Sequence, residues 1–385
     1  MPFHRSEPGR LAEGNANTGS HAGPERKPHR SGFDSFFRGV SMAKRSRDAS
    51  DGIDPVPPVD AAVMDSGGSR MSGPRTMSLV GTLDTKREHY LPRFFLQRFV
   101  NDKGTMAVVS RMGRDGRPRL QRNMRVENIA LRNALYETAY PGDRDGRYYF
   151  PNSNEKSLSY MEDFLSRELR WTLDVALTMR PSDRLDDEDL SRIMMFVSLF
   201  IPHIVSRSPR SVDCAIANAP HVLEAMREAG IGSSGSLREA YREVFPDEKL
   251  DETLVFDPRS LSEYVSLRLQ MIPGGEAFES SPLCDAMHHL GDCSLLVMTT
   301  SVGHPFIGLD APIRAALPDE CVAWYYPLSS RVAVMLADDG RHTFEKRSIS
   351  HRLLKELNGV ARNDGNWGLV FCERPDYLDP YVRDM

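Results

Sequence analysis

Residues 294–300, SLLVMTT, and 331–336, RVAVML, decide the fold, because the hydrophobic period changes there. With 305–309 (PFIGL) and 321–326 (CVAWYY) they form short apolar blocks that read as strands. Upstream the period is helical. Residues 154–179 read as a helix capped by Asn154, with the stripe Leu158, Met161, Leu165, Leu169 and Ala176, and with Pro181 beyond its end. Residues 186–205 read as a second helix, bent or ended near Pro202, and 211–230, 235–244 and 259–271 continue the pattern. Downstream, 348–360 reads as a helix and 367–372 as a last strand. Near the start, Pro92 suits the first turn of a short helix whose apolar face is Phe95, Leu96, Phe99 and Val100. Residues 105–110 and 119–124 read as strands joined by a turn at Asp115-Gly116. The sum is α+β: a helical middle with a mostly antiparallel sheet built from the late strands, which the early hairpin can join.

The chain has 385 residues and a formal charge of −5, which hides an asymmetry. Residues 86–147 carry 14 Lys/Arg against 7 Asp/Glu, whereas 148–385 carry 24 against 37. A basic segment before an acidic body suggests an anionic partner or internal docking. Residues 1–85 are rich in Gly, Ser, Pro, Arg and Asp and read as a disordered tail, with 86–385 as a single α+β domain. Two readings of that tail compete: a flexible arm, or an over-extended start with translation beginning at Met71 or Met77. Five cysteines form no framework, which fits a reducing cytoplasm. The longest apolar run, 193–205 (IMMFVSLFIPHIV), is short for a bilayer and holds Pro202 and His203; it reads as a buried helix, and no membrane is expected.

Several side chains could carry chemistry. His89 stands at a helix N-terminus, where the dipole disfavours the imidazolium; the neutral ring could be a general base, a metal ligand or a packed cap. Glu155 and Glu162, seven residues apart, share one helix face at roughly 10 Å. Glu162 falls inside the apolar stripe and needs a partner such as Arg207, Arg210 or His89; the plain alternative is a packing ion pair. Asp310 ends an apolar strand, as a site residue or a turn former. Cys284, His288, His289 and Cys293 look like a metal box, but the two i,i+4 pairs diverge by about 140° on a helix, so no metal is assigned to them. Arg93, Arg98, Arg111, Arg119 and Arg122, interleaved with aromatics, are the ingredients of nucleic-acid binding.

The stretch His89-Tyr90-Leu91-Pro92-x-x-Phe95-Leu96-x-x-Phe99 resembles the start of a bacterial family of unknown function, H-Y-x-P-x-x-(Y/F)-L-x-x-F. The likeness continues in order. An Asn-x-Ala-x-x-Asn pattern leads to Leu-Tyr-Glu at 128–137, and the paired Glu155 and Glu162 follow. Asp310-Ala311-Pro312, Pro327-Leu328-Ser329 and Asn358 complete the series. Gly308-Leu309 stands where the family often has Ser or Thr-Ser, which weakens any hydroxyl chemistry beside Asp310. The resemblance implies a domain over 88–385 and no mechanism.

Two functions follow as expectations. One is binding, with the basic segment contacting nucleic acid or an acidic protein, no cofactor, and His89, Glu162 and Asp310 structural. The other is a metal-dependent hydrolase, a nuclease included, with His89 as base and Glu162 and Asp310 holding a divalent cation such as Mg²⁺. The second requires the three residues to converge.

Overall fold

Phe95 lies where helix meets sheet, fully buried against Phe99, Phe200, Tyr326 and Phe371 at ring-centroid distances of 5.3, 5.5, 5.7 and 5.9 Å. These rings come from four separated segments, so the core forms only when early helix, middle helix and late strands assemble. The computed structural model describes residues 79–84, 87–111, 117–142, 146–180, 185–244, 250–271, 282–316, 322–364 and 367–383. All of them belong to one compact unit.

The architecture is α+β. The first strands are β1 (Val80–Gly81) and β2 (Arg87–His89), then helix α1 (Arg93–Leu96), β3 (Thr105–Ser110) and β4 (Arg119–Arg125). Short strands β5 (Leu131–Asn133), β6 (Thr138–Ala139) and β7 (Tyr148–Tyr149) follow. The middle is helical: α2 (Ser153–Thr178), α3 (Asp187–Ser206), α4 (Pro209–Glu228), α5 (Ser234–Val244), α6 (Pro258–Met271) and α7 (Pro282–Gly291). The late part holds β8 (Ser294–Thr299), β9 (Gly308–Leu309), β10 (Ile313–Ala316), β11 (Val322–Pro327), β12 (Val332–Asp338) and β13 (Phe344–Ser348). Helix α8 (His351–Asp364), β14 (Leu369–Cys372) and α9 (Pro380–Arg383) end it.

The sheets refine the expectation of one late sheet. Five late strands pair in the order β10-β11-β12-β8-β13, antiparallel except for β13 beside β8. The early hairpin does not join them. It forms a second sheet, β4-β3-β14-β9, because β14 pairs antiparallel with β3. Gly308 in β9 is required there: a Cβ would fall 2.1 Å from the Phe371 ring.

Other expectations shift locally. The 305–309 strand shrinks to Gly308–Leu309, while β10 and β13 are additional strands. Helix α2 is preceded not by a capping Asn154 but by Asn152, in a left-handed conformation (φ 57°). Helix α3 runs through Pro202 to Ser206 and is capped by Asp186, which accepts from Asp189 N at 2.7 Å. At 20 residues the whole of α3 is long and apolar enough to cross a membrane by length and composition alone, but it is mostly buried in the fold, as expected of its apolar run. Val80–Gly81, expected in the tail, pairs with β7, and Leu79 is buried. Residues 1–78 and the Asp115-Gly116 turn lie outside the described residues.

Candidate functional site

A strand sends alternate side chains to opposite sides. In β2 this turns Glu88 fully inward (0% exposed) and leaves His89 half-buried at the surface. The 128–137 segment then turns at two left-handed alanines, Ala130 (φ 55°) and Ala134 (φ 47°). Such residues cost about 1–2 kcal/mol each, so packing must hold them. The turns bring Tyr136 N–H to donate to Glu88 Oε2 at 3.1 Å. Glu137 in turn accepts from Asn152 N–H at 3.1 and 3.2 Å, and Asn154 Nδ2 donates to Tyr136 O at 2.9 Å. These bonds fix the start of α2, from which Glu155 and Glu162 project.

Arg207, directly after α3, is the centre. It is fully buried and donates to Glu162 Oε1, to His89 O at 2.6 Å and to Tyr136 Oη at 3.3 Å. Of the partners expected for Glu162, Arg207 is the one that pairs with it. Burial works against the Arg207 charge, but Tyr136 and Glu162 outweigh it and hold its pKa above the ordinary value. Burial lowers the His89 pKa, the Val126 carbonyl opposes this, and Arg93 adds to it. The neutral ring is favoured, with Nε2 3.4 Å from Val126 O and Glu162 nearby.

The carboxylates outnumber this one guanidinium. Burial raises Glu88 and pushes Glu137 up to about 8, the charge of Glu88 adding to the second shift. Burial likewise pushes Glu155 up to about 7, against the pull of Arg207 and with the repulsion of Glu88 and Glu162. Glu88 Oε1, Asn154 Oδ1 and Glu155 Oε2 are buried and receive no donor in hydrogen-bonding geometry. His203, one turn before Arg207 on α3, is also fully buried with neither ring nitrogen bonded. Burial and the Arg207 charge keep that ring neutral.

Asp310 holds backbone of the late strands. It is 4% exposed, accepts from Gly368 N–H at 3.1 Å, and its charge is felt by Tyr90 and Tyr326. Asn358 serves the same stretch of chain, accepting from Ile307 N–H and donating to Pro305 O, both at 3.3 Å. Ser329 Oγ accepts from the N–H groups of Arg331 and Val332. These late motif residues hold backbone.

Burial pushes the Asp310 carboxyl up to about 6 from 3.8, with the Leu369 and Gly368 N–H groups opposing it. The folded pKa is raised, so the native state holds this proton more tightly than the unfolded chain. That stability is full below about pH 4 and lost as pH rises through about 6. Asp310→Asn imitates the protonated form. In urea titrations its stability is expected to match the wild type at pH 4 and exceed it at pH 8, by at most on the order of 3 kcal/mol. A less stable variant at pH 8 would contradict a purely backbone-holding Asp310.

The basic residues separate into groups. Register between β3 and β4 shifts at Met106/Val108, and Asn123 there has φ 56°. This bulge leaves Gln121, Arg122 and Asn123 exposed in succession while Leu120 and Met124 stay half-buried. Arg119, Arg122 and Arg125 are exposed along β4, the edge of its sheet, with Arg119 and Arg125 on opposite faces because their partners Ser110 and Thr105 are five residues apart, and exposed Arg117 lies just before the strand. Arg122 also meets Asp379 at 3.5 Å. Arg93 is exposed and paired with Glu127 at 3.1 Å. Arg111 lies 3.7 Å over the Trp367 ring, and Arg98 is half-buried beside Arg170 and Asp174, both away from the β4 row. The row ends at His89, since Val126, whose carbonyl faces the His89 ring, directly follows Arg125.

Cys284 Sγ lies 3.7 Å from His288 Nε2 on α7, while Cys293 Sγ donates to His289 O, so the two pairs do not share a point. Sequence reasoning missed Glu88, Glu137, Asn154 and His203. One signal was available: a charged residue between two others in a strand must face inward on one side.

Residues 87–372 match a family described as a protein of unknown function. No curated protein and no solved structure matches the chain.

Proposed function

Because the chain belongs, over residues 87–372, to the family described as protein of unknown function DUF4238, we propose its function from its own geometry: it binds nucleic acid along β4. The observation that carries this reading is the run of exposed arginines Arg119, Arg122 and Arg125 along an edge strand, distributed over both its faces, with Arg117 just before it. At about 3.3 Å per residue the row spans roughly 26 Å, enough to follow several phosphates of one strand. Phe95, Phe99, Tyr136 and Tyr149 are buried and Phe94 and Tyr148 half-buried, so the contact is chiefly with the backbone and tolerant of sequence. The setting is the cytoplasm, where reduced cysteines and nucleic acid coexist.

Fluorescence anisotropy of the full chain with single-stranded RNA and DNA probes tests it. Neutralising four phosphates gives log K a slope of about −3 against log salt. Arg119→Ala with Arg122→Ala is expected to reduce that slope by about 1.5 and weaken all sequences alike. Binding that ignores salt, or ignores the double substitution, would sink the reading. Binding only to acidic protein would move the partner to that class.

A second reading is favoured by one observation: the arginine row runs into His89, with Glu162 nearby. On that reading the chain is a phosphodiester hydrolase in which neutral His89 takes the proton from the attacking oxygen. Asp310, committed to Gly368 N–H, has no part in it.

A further inference from the structure

The late motif residues, which nucleic-acid binding leaves unused, brace one cleft. Ser329 Oγ accepts from the N–H groups of Arg331 and Val332 and so holds the turn that carries Ser330 and Arg331. Ser330 N–H donates to Arg98 O, in the turn after α1, at 3.1 Å, and Ser330 O accepts from Phe306 N–H at 2.9 Å. Asn358 Nδ2 donates to Pro305 O at 3.3 Å, and Arg374 Nη1 donates to Gly303 O at 2.9 Å. These bonds fix the walls of a cleft of about 290 Å³, at the small end of ligand sites. Arg331 and Arg374 line it together with Glu373 and Asp102, and Val302 and Pro305 add an apolar side.

The charges in this cleft do not pair with each other. Half-buried Arg331 meets no carboxylate among the described residues: its Nε and Nη2 share Thr300 O at 3.4 and 3.3 Å, and its Nη1 makes no hydrogen bond. Arg374 forks onto Asp376 of its own turn, at 3.1 and 2.7 Å, rather than onto Glu373. Glu373 and Asp102 form no ion pair among the described residues. Burial raises the pKa of half-buried Glu373, the Ser330 hydroxyl opposes this, and the Asp102 charge adds to it. A half-buried guanidinium and a half-buried carboxylate without counter-charges are each costly. A simple anion here would face Glu373 and Asp102, and a simple cation would face both arginines. A ligand that carries both charges satisfies both sides. Val302, 80% exposed, leaves an apolar side chain uncovered at the same cleft. We propose that the cleft binds a small apolar α-amino acid, its carboxylate held by Arg331 and its ammonium by Glu373 and Asp102, with its side chain against Val302 and Pro305. The planar donor fork of arginine matches a carboxylate.

None of these residues belongs to the β4 row and the test contains no nucleic acid, so amino-acid binding and nucleic-acid binding stand or fall separately. Labelled L-valine is titrated into the full chain by equilibrium dialysis, with unlabelled compounds in competition. One saturable site is expected. Isovalerate lacks the ammonium of valine and isobutylamine lacks its carboxylate. Each is expected to compete about tenfold worse or more than unlabelled L-valine, through the loss of one charge-assisted contact. Arg331→Gln keeps an N–H donor for Thr300 O, and Glu373→Gln keeps an acceptor for the Ser330 hydroxyl; each is expected to weaken L-valine by a similar factor. Should Arg331→Gln fail to fold, Glu373→Gln and the two analogues carry the comparison. The proposal is overturned by no saturable L-valine binding at about 10 mM, tenfold above a weak Kd of about 1 mM. It is equally overturned if either singly charged analogue competes as well as L-valine, or if either folded glutamine variant binds L-valine undiminished.

Discussion

Replacing Arg207 with alanine is expected to destabilise the fold by about 3–5 kcal/mol, the range for breaking a buried ion pair from one side. The guanidinium is fully buried and serves three segments at once: His89 O in β2, Tyr136 Oη before β6, and Glu162 on α2. Its removal leaves a half-buried carboxylate without a counter-charge and a partly buried carbonyl without a donor, and each is costly. Arg207→Lys keeps the charge but not the planar fork, so it should recover only part of the loss. Urea unfolding followed by circular dichroism measures both. A loss below about 1 kcal/mol for the alanine variant would place Arg207 among ordinary surface pairs and dissolve the cluster as a structural unit.

Phe95→Ala should have a comparable effect through different physics, about 3–5 kcal/mol. Phe95 is 0% exposed and touches rings from the 3-10 turn after α1, from α3, from β11 and from β14. The cost combines lost transfer energy with a cavity that four anchored rings cannot close. Tyr160→Ala, on an α2 side chain that is 71% exposed, should change stability by no more than about 0.5 kcal/mol. If the two variants unfold at the same urea concentration, the ring cluster is not the core of this fold.

The two variants divide the opening motif between them. Phe95, Leu96 and Phe99 are the packing part, and Pro92 caps the short helix by accepting from Phe95 and Leu96 N–H. His89 supplies both a backbone carbonyl to Arg207 and a half-buried neutral ring. A histidine read as a helix-terminus residue is thus a β2 residue whose main chain is structural and whose ring is available. The later motif residues separate in the same way: Asp310, Asn358 and Ser329 tie down backbone, while Tyr136 and Glu162 bond Arg207 and Glu155 feels its charge.

By itself the sequence determined the elements and the fold class. The shift from helical to strand period at 294, the stripe of α2 and the aromatic face at 95–99 are local patterns, and hydrophobic burial acts on them residue by residue. It also marked Glu162 as a charge needing a partner, because its helix face is apolar. Only the tertiary structure decided that β14 pairs with β3 rather than with the late sheet. Only it decided that Asp310 accepts from Gly368 N–H, and that Glu88 and Asn154 both bond the peptide of Tyr136, whose hydroxyl meets Arg207. The reason is that strand pairing and buried charge compensation join residues up to 265 positions apart, as Ala107 and Cys372 are in the β3–β14 ladder. Periodicity reports which way a side chain faces. It carries no record of what stands opposite.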